Sequence, residues 1–169
     1  MTALRNPYLL DKHWEDINEL IDGELNIRED EEFTLQNLIE LDVVQYMDDI
    51  VAISLRATGE YKLVNQWEAI NAAWKEVAFS VVQHKDTEGV WVLSEVDDLY
   101  TFLDENLAQV NMILGNRYAG VIRDKAVQTK KDLNTLNNAV DEWITVQQEW
   151  MYLETIFKSP EIKKTLPAE

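Results

Sequence analysis

Apolar residues recur at three- and four-residue steps along most of the chain, which predicts a mainly helical protein. The steps predict five helices, at about residues 11–22, 35–41, 43–78, 94–115 and 121–158. Between the third and fourth helices the period shortens, and two β-branched, aromatic runs flank a turn that ends at Gly89. That pattern is typical of a β-hairpin, here at about residues 79–93. The predicted fold class is therefore all-α: an elongated antiparallel bundle of long helices with one small β-hairpin.

Capping and chain-breaking residues predict where several of these helices begin and end. Gly23 is the expected stop of the first helix, and Thr34 is the expected N-cap of the second. Ser94, with Asp97 three residues later, nearly matches a capping box for the fourth helix. Pro160 prevents direct continuation of the last helix.

The third helix contains a glycine, Gly59, in the middle of its apolar stripe. A glycine inside a helix costs about 1 kcal/mol relative to alanine, which is far less than burial of such a stripe recovers. We therefore interpret Gly59 as tolerated within an unbroken helix, and a functional kink at this position is the alternative. The acidic composition of residues 24–33 predicts a surface loop. The chain is therefore expected to divide into residues 1–42, which contain the short helices and this loop, and residues 43–169, which form a helical segment. The two parts are expected to form one continuous structural unit.

The last helix carries the strongest aromatic pattern of the chain. Its apolar stripe contains eight residues on one helical face: Leu133, Leu136, Val140, Trp143, Val146, Trp150, Leu153 and Phe157. Such a face would be an aggregation hazard in water, so it must pack against other helices of this chain or of a partner. Trp150 lies in the middle of the stripe and is expected in a seam between the last helix and the two before it.

The charge distribution argues against several kinds of partner. The formal net charge is −17, and residues 1–112 hold 24 acidic and 7 basic residues, whereas residues 113–169 hold 8 of each. An acidic surface repels phosphate backbones and other anionic surfaces. Binding to nucleic acid, to an anionic membrane or directly to a microtubule is therefore not expected. The sequence contains neither an apolar run of 18 residues nor a secretory signal pattern.

Motifs for catalysis or cofactor binding do not stand out. The segment "GNRYAG", residues 115–120, has the glycine spacing of a phosphate loop, but Val121 and Ile122 occupy the positions that require Lys and Ser/Thr. His13 and His84 lie outside the helical patterns that bind zinc or iron, and the absence of cysteine excludes disulfides and thiol chemistry. No catalytic, cofactor-binding or metal-binding residue is assigned. A carboxylate-based hydrolase remains an alternative, because 32 carboxylates could conceal an acid–base pair.

The end of the last helix resembles a pattern of the dynein heavy chain linker, W-x-x-V-Q-x-x-W-x-Y-L-E-x-I-F followed by D/E-I and L-P-x-E. The matching residues are Trp143, Val146, Gln147, Trp150, Tyr152, Leu153, Glu154, Ile156, Phe157, Glu161, Ile162, Leu166, Pro167 and Glu169. Weaker matches lie upstream in "KHW" (12–14), "FTLQNLIEL" (33–41), "ISLRATGE" (53–60), Trp74, "HKDTEGVWVLSEVDDL" (84–99) and "NRY" (116–118). The stretches "FTLQNL" and "HKDTEGVWVL" resemble axonemal rather than cytoplasmic members, although "AVQTKKDL" (126–133) lacks the tryptophan that the family usually has early in this helix.

The resemblance implies a mechanical role without catalysis in this segment. A dynein linker is a helical arch across a ring of AAA+ modules, and it bends and straightens during ATP turnover to pull the tail. The chain would be the tail-proximal part of that arch, and ATP and Mg²⁺ would bind in the ring. Because the arch would continue past Glu169, some apolar surface of this segment is expected to remain exposed.

The implied partners are the rest of the linker and the AAA+ ring of the same heavy chain, the neighbouring tail, and dynein intermediate or light chains. The implied location is intracellular and cytoskeletal, in the axoneme of a cilium or flagellum. The residues alone also permit a non-motor helical module for protein–protein interaction.

Overall fold

The computed structural model describes residues 2–23, 25, 35–85, 89–160 and 162. Within these residues the fold is all-α with one small hairpin, which confirms the predicted fold class. The helices are α1 Asp11–Ile21, α2 Leu35–Glu40, α3 Met47–Lys75, α4 Val96–Gly115 and α5 Arg123–Phe157, and the strands are β1 Val81–Gln83 and β2 Trp91–Leu93. The predicted loop at residues 24–33, except Leu25, and the predicted cap at Thr34 lie outside the described residues.

The chain separates into two compact units. The first contains Met1–Ala69 with Gly115–Arg123, and the second contains Ile70–Leu114 with Asp124–Glu169. The two units are distinguished only by their compactness. They do not test the predicted division of the chain at residue 42, which stays a prediction.

The first unit has a core in which α1, the start of α3 and the N-terminal segment pack together. Its buried members are Leu4, Leu9, Ile17, Ile21, Leu25, Val43, Ile50 and Ala57. Polar contacts tie the N-terminal segment to α3, because the side-chain amide of Asn6 donates to the carbonyl oxygen of Ser54 and to Thr58 Oγ1, both at 2.8 Å. The rings of Tyr8 and Tyr61 stack with centroids 4.0 Å apart.

Helix α1 ends one residue earlier than its glycine predicts. Asp22 takes the left-handed conformation, with φ 50°, and follows the last helical residue. The N–H of Gly23 then donates to the carbonyl oxygen of Asn18 at 3.2 Å, so the glycine completes the stop rather than forming it.

Helix α3 is unbroken through Gly59, as predicted, but it is shorter than the predicted range of residues 43–78. Asp42 is left-handed, and the short 3-10 helix Val43–Tyr46 precedes α3. Gly59 is more than tolerated: a Cβ atom at this position would lie 2.8 Å from Cε2 of Tyr118, too close for real atoms. The absence of a side chain therefore allows the ring of Tyr118 to pack directly on the helix.

His13 is a buried structural residue of the first unit. Its Nδ1 accepts a hydrogen bond from the N–H of Leu10 at 3.0 Å, so the neutral ring carries its proton on Nε2, which lies 3.2 Å from Glu60 Oε2. Burial lowers the pKa of His13 below its ordinary value of 6.5, and the attraction of Glu60 only partly offsets this effect. Protonation would also remove the acceptor for Leu10.

Acidification is therefore expected to destabilise the first unit. Because the pKa of His13 is lower in the folded state, its contribution is fully present above the unfolded value of 6.5 and is lost as the pH falls below it. Urea unfolding at about pH 7 and about pH 5 should show a lower midpoint at the acidic pH. In His13→Gln this difference should shrink, and an unchanged pH slope in that variant would contradict the assignment.

The second unit pairs α4 with α5 in an antiparallel arrangement. Four residues of α4 and three of α5 are buried: Leu103, Asn106, Val110 and Ile113, with Ala126, Leu133 and Val140. The hydroxyl of Tyr100 donates to Asp141 Oδ1 at 2.6 Å, and this bond raises the pKa of Tyr100 to about 12. Both helices lie within the predicted ranges and begin two residues later than predicted, and α5 also ends one residue earlier.

The hairpin is antiparallel, with Val82 opposite Val92 at its centre. The predicted capping role of Ser94 is wrong, because α4 begins at Val96 and Ser94 extends the hairpin instead. Its N–H donates to the carbonyl oxygen of Ser80 at 2.8 Å, and the two hydroxyl oxygens lie 3.0 Å apart. Glu95, with φ 53°, turns the chain from the hairpin into the helix.

Candidate functional site on the last helix

Within the described residues, the structure holds neither a cluster of metal ligands nor a membrane-spanning helix. No group of three or more His, Asp, Glu or Cys side chains there is arranged to hold a metal ion. None of the described helices has the length and hydropathy needed to cross a membrane. Of the rejected phosphate-loop segment, Gly115 ends α4 and Tyr118 packs on Gly59. The assignment of no catalytic, cofactor-binding or metal-binding residue stays a prediction.

One face of α5 holds the hairpin. We call it the hairpin-docking face, and it consists of Trp143, Gln147, Trp150 and Glu154, whose spacing of four, three and four residues places them on one side of a helix. Each has a contact in the 79–93 region. Trp143 contributes an aromatic contact to Phe79, with ring centroids 5.9 Å apart.

Gln147 bonds to the outer edge of β2 through both halves of its side-chain amide. The N–H of Leu93 donates to Gln147 Oε1 at 2.7 Å, and Gln147 Nε2 donates to the carbonyl oxygen of Leu93 at 3.1 Å. These two groups point away from β1, because the neighbouring pairs Ser80 with Ser94 and His84 with Val90 carry the bonds between the strands. The amide therefore takes the place of a further strand beside Leu93.

His84 anchors the other end of the hairpin. This buried side chain has Nε2 2.7 Å from Glu154 Oε2, and its ring meets Trp150 edge-on with centroids 5.3 Å apart. Lys158 donates to the other oxygen of Glu154 at 2.7 Å. The bond from Lys158 is the main reason that the pKa of Glu154 lies below its ordinary value of 4.5, and the bond with His84 acts in the same direction. The carboxylate is thus ionised and holds the histidine at neutral pH.

Removal of the Gln147 amide is expected to loosen the hairpin. Gln147→Ala leaves the N–H and carbonyl of Leu93 without their partner, which should cost about 1–2 kcal/mol. Hydrogen exchange at the Leu93 amide should accelerate roughly tenfold, the equivalent of about 1.4 kcal/mol. Gln148→Ala, an exposed neighbour, is the control and should leave this exchange unchanged. Equal exchange in all three proteins would show that the bond does not hold the edge.

The part of the apolar stripe that follows Val140 is not buried. Trp150 is 39% exposed, and Val146, Leu153 and Phe157 are exposed as well. The predicted position of Trp150 in a seam between helices is therefore wrong: the ring lies against His84 of the hairpin, and a three-residue strand is too small to cover it. The expectation that apolar surface remains exposed is confirmed.

Gln147 and Glu154 belong to the pattern at the end of the last helix and His84 lies outside metal-binding spacings, but the sequence indicates no structural role for any of the three. Their spacing was the available signal, since Gln147 and Glu154 are separated by two helical turns and share a face with the two tryptophans. The sequence did not show that the hairpin packs on this face, because the position of the hairpin depends on tertiary packing.

The chain is similar in sequence to known proteins over nearly its whole length. The family model described as dynein heavy chain, N-terminal region 2, matches residues 1–169, so the chain belongs to the dynein heavy chain family. Dynein axonemal heavy chain 6 of Homo sapiens is 34% identical over 166 residues, which are 98% of this chain and 4% of that protein. The dynein-1-beta heavy chain of the flagellar inner arm I1 complex of Chlamydomonas reinhardtii is 29% identical over 170 residues, 100% of this chain and 4% of that protein.

The suspected relationship to the N-terminal region of a dynein heavy chain is thereby confirmed. Dynein axonemal heavy chain 12 of Rattus norvegicus is 28% identical over 158 residues, which are 94% of this chain and 5% of that protein. The chain therefore spans only about a twentieth of the length of these relatives.

Proposed function

We propose that this segment is a mechanical, non-catalytic part of the linker of an axonemal dynein heavy chain. It transmits the ATP-driven conformational change of the AAA+ ring to the tail, in the axoneme of a cilium or flagellum. ATP and Mg²⁺ bind in the ring and not in this segment. Its partners are the rest of the linker, the ring, the neighbouring tail and dynein intermediate or light chains.

The observation that carries this proposal is the family match over residues 1–169. The axonemal assignment is supported by relatives whose names state an axonemal or flagellar origin, at 28–34% identity across nearly the whole chain. A non-motor interaction module would not be expected to match this family from end to end.

The hairpin-docking face supports a mechanical role in the second unit. A segment that transmits force must resist local bending, and packed elements with discrete contacts move together rather than deform continuously. Gln147 and Glu154 fix the hairpin to α5 at two points, one at each end of the strand pair. The hairpin and the end of α5 therefore form one mechanical element.

The experiment weakens this element in the complete motor. The double variant His84→Ala with Gln147→Ala removes both anchoring side chains and leaves every residue of the ring unchanged. ATP turnover is expected to remain within about twofold of wild type, while microtubule gliding slows several-fold, because hydrolysis and movement become separated. The measurement compares the ATPase rate with the gliding velocity of the same preparation.

The matched control is Lys85→Ala with Gln148→Ala, two exposed neighbours of the anchoring residues. It should alter neither rate. Equal loss of turnover and gliding in the anchoring variant would indicate misfolding rather than lost transmission. Normal gliding in that variant, with the hairpin shown to be detached by hydrogen exchange, would overturn the mechanical role.

A further inference from the structure

A second surface of the second unit lies at the base of the hairpin and shares Leu93 and Phe79 with the hairpin-docking contacts. We call it the hairpin-base groove. It is a cavity of about 230 Å³ lined by Val77, Ala78, Phe79, Ser80, Leu93, Ser94, Glu95, Asp98, Leu99 and Phe102. A cavity of about 150 Å³ already holds a benzene ring. The groove is therefore large enough for one bulky apolar side chain.

The walls of the groove are apolar, and its rim is anionic. Leu93 is buried and Leu99 and Phe102 are half-buried, so the interior offers side-chain carbon to an occupant. Glu95 and Asp98 also line the cavity but are exposed, which places their carboxylates where the cavity meets solvent. Glu95 lies in the left-handed turn that precedes α4, and Asp98 lies in the first turn of that helix, so both carboxylates belong to the same end of α4.

The charge around the groove has a single sign along one whole wall. Residues 89–116, which contain β2 and α4, include five acidic residues and no Lys or Arg. An acidic partner would be repelled here, whereas a cationic partner would be attracted and oriented. Charge complementarity therefore selects a basic occupant for an apolar site.

We propose that the hairpin-base groove docks a basic amphipathic helix of a protein partner. The helix inserts one bulky apolar side chain into the cavity, and Lys or Arg residues three or four positions away pair with Glu95 and Asp98. A helix fits because its side chains three or four positions apart lie on one face, so it can present the apolar side chain and the cations together. Phe79 lines the groove, touches Trp143 and is itself exposed, so the apolar contact can extend onto α5.

The docking surface does not depend on the proposed motor role, because it rests on the cavity and its charges. The test uses the 169-residue chain and two labelled synthetic helices of about 18 residues. Both helices carry the same apolar stripe with a central Phe, and their flanking positions are Lys in one and Glu in the other. Binding is measured by fluorescence anisotropy at about 50 mM and about 300 mM salt.

The Lys helix is expected to bind at least tenfold more tightly than the Glu helix at low salt, with a smaller difference at high salt. Neutralisation of the rim in Glu95→Asn with Asp98→Asn should weaken the Lys helix roughly three- to tenfold. Asparagine tolerates the left-handed backbone of Glu95, so this variant keeps the turn. The control Asp104→Asn with Glu105→Gln removes two charges of the same helix that do not line the cavity, and should change binding less than about twofold.

A filled cavity provides the second arm of the test. Val77→Trp places an indole in the groove from its wall and should abolish binding of the Lys helix, while the circular dichroism spectrum stays that of the wild type. Equal affinity for the Lys and Glu helices, or unchanged binding by Val77→Trp, would overturn the proposal and leave only non-specific apolar association. A chain that dimerises through this groove, and becomes monomeric in Val77→Trp, would overturn it in favour of self-association.

Discussion

Replacement of Ile50 by alanine is expected to lower the free energy of unfolding by about 2–5 kcal/mol. Ile50 lies near the start of α3, its side chain is 0% exposed, and it belongs to the core of the first unit with Leu9 and Ile17. The truncation removes three buried carbon atoms and leaves a cavity that the two helices around it can only partly close. Urea unfolding followed by circular dichroism measures the loss.

The matched control for this substitution is Leu55→Ala. Leu55 lies five residues further along the same helix, loses the same number of carbon atoms and is 57% exposed. It should change stability by no more than about 0.5 kcal/mol. A loss of similar size at both positions would mean that α3 does not bury its Ile50 side in the first unit.

Gly59→Ala is expected to destabilise the first unit by about 1–3 kcal/mol, although the same change inside an ordinary helix stabilises it. The added Cβ atom would lie 2.8 Å from Cε2 and 3.0 Å from Cγ of Tyr118, so the ring must move as a whole. Whether Gly59→Ala lowers or raises the free energy of unfolding therefore shows whether the Tyr118 ring packs on α3. Thermal or urea unfolding of the single variant measures it directly.

The sign should reverse once the ring is gone. In a Tyr118→Ala background, Gly59→Ala should stabilise the protein by up to about 1 kcal/mol, because only the helix preference of alanine remains. A stabilising effect of Gly59→Ala in the wild-type background would show that Tyr118 does not pack on α3.

The helices could be predicted because they depend on local spacing. Helix α4 shows this clearly, since Leu103 and Val110 recur at the predicted steps and are buried. The hairpin was also predictable, because β-branched residues and Gly89 specify it locally, and Gly89 takes the left-handed conformation with φ 82°. The residues at which elements begin and end were harder to predict. Ser94 has the side chain of an N-cap, but it pairs with Ser80 across the hairpin instead.

Contacts between residues far apart in sequence could not be predicted, either in the first unit or at the candidate site on α5. Gly59 has no side chain whose type could indicate Tyr118 as its neighbour, and periodicity cannot distinguish a tolerated glycine from a required one. Trp150 shows the same difficulty on α5. Its stripe indicates only that the face must be covered, and the hairpin covers that face in part.

The amide of Gln147 has a consequence for colloidal behaviour. An isolated strand pair presents two free edges, and each can recruit a strand from another molecule and begin sheet growth. Because Gln147 already bonds to both outward-facing groups of Leu93, recruitment at that position of β2 would first require the amide to be displaced. A single side chain thus shields one edge of the hairpin from intermolecular sheet formation, beside an aromatic surface where such growth would be most damaging.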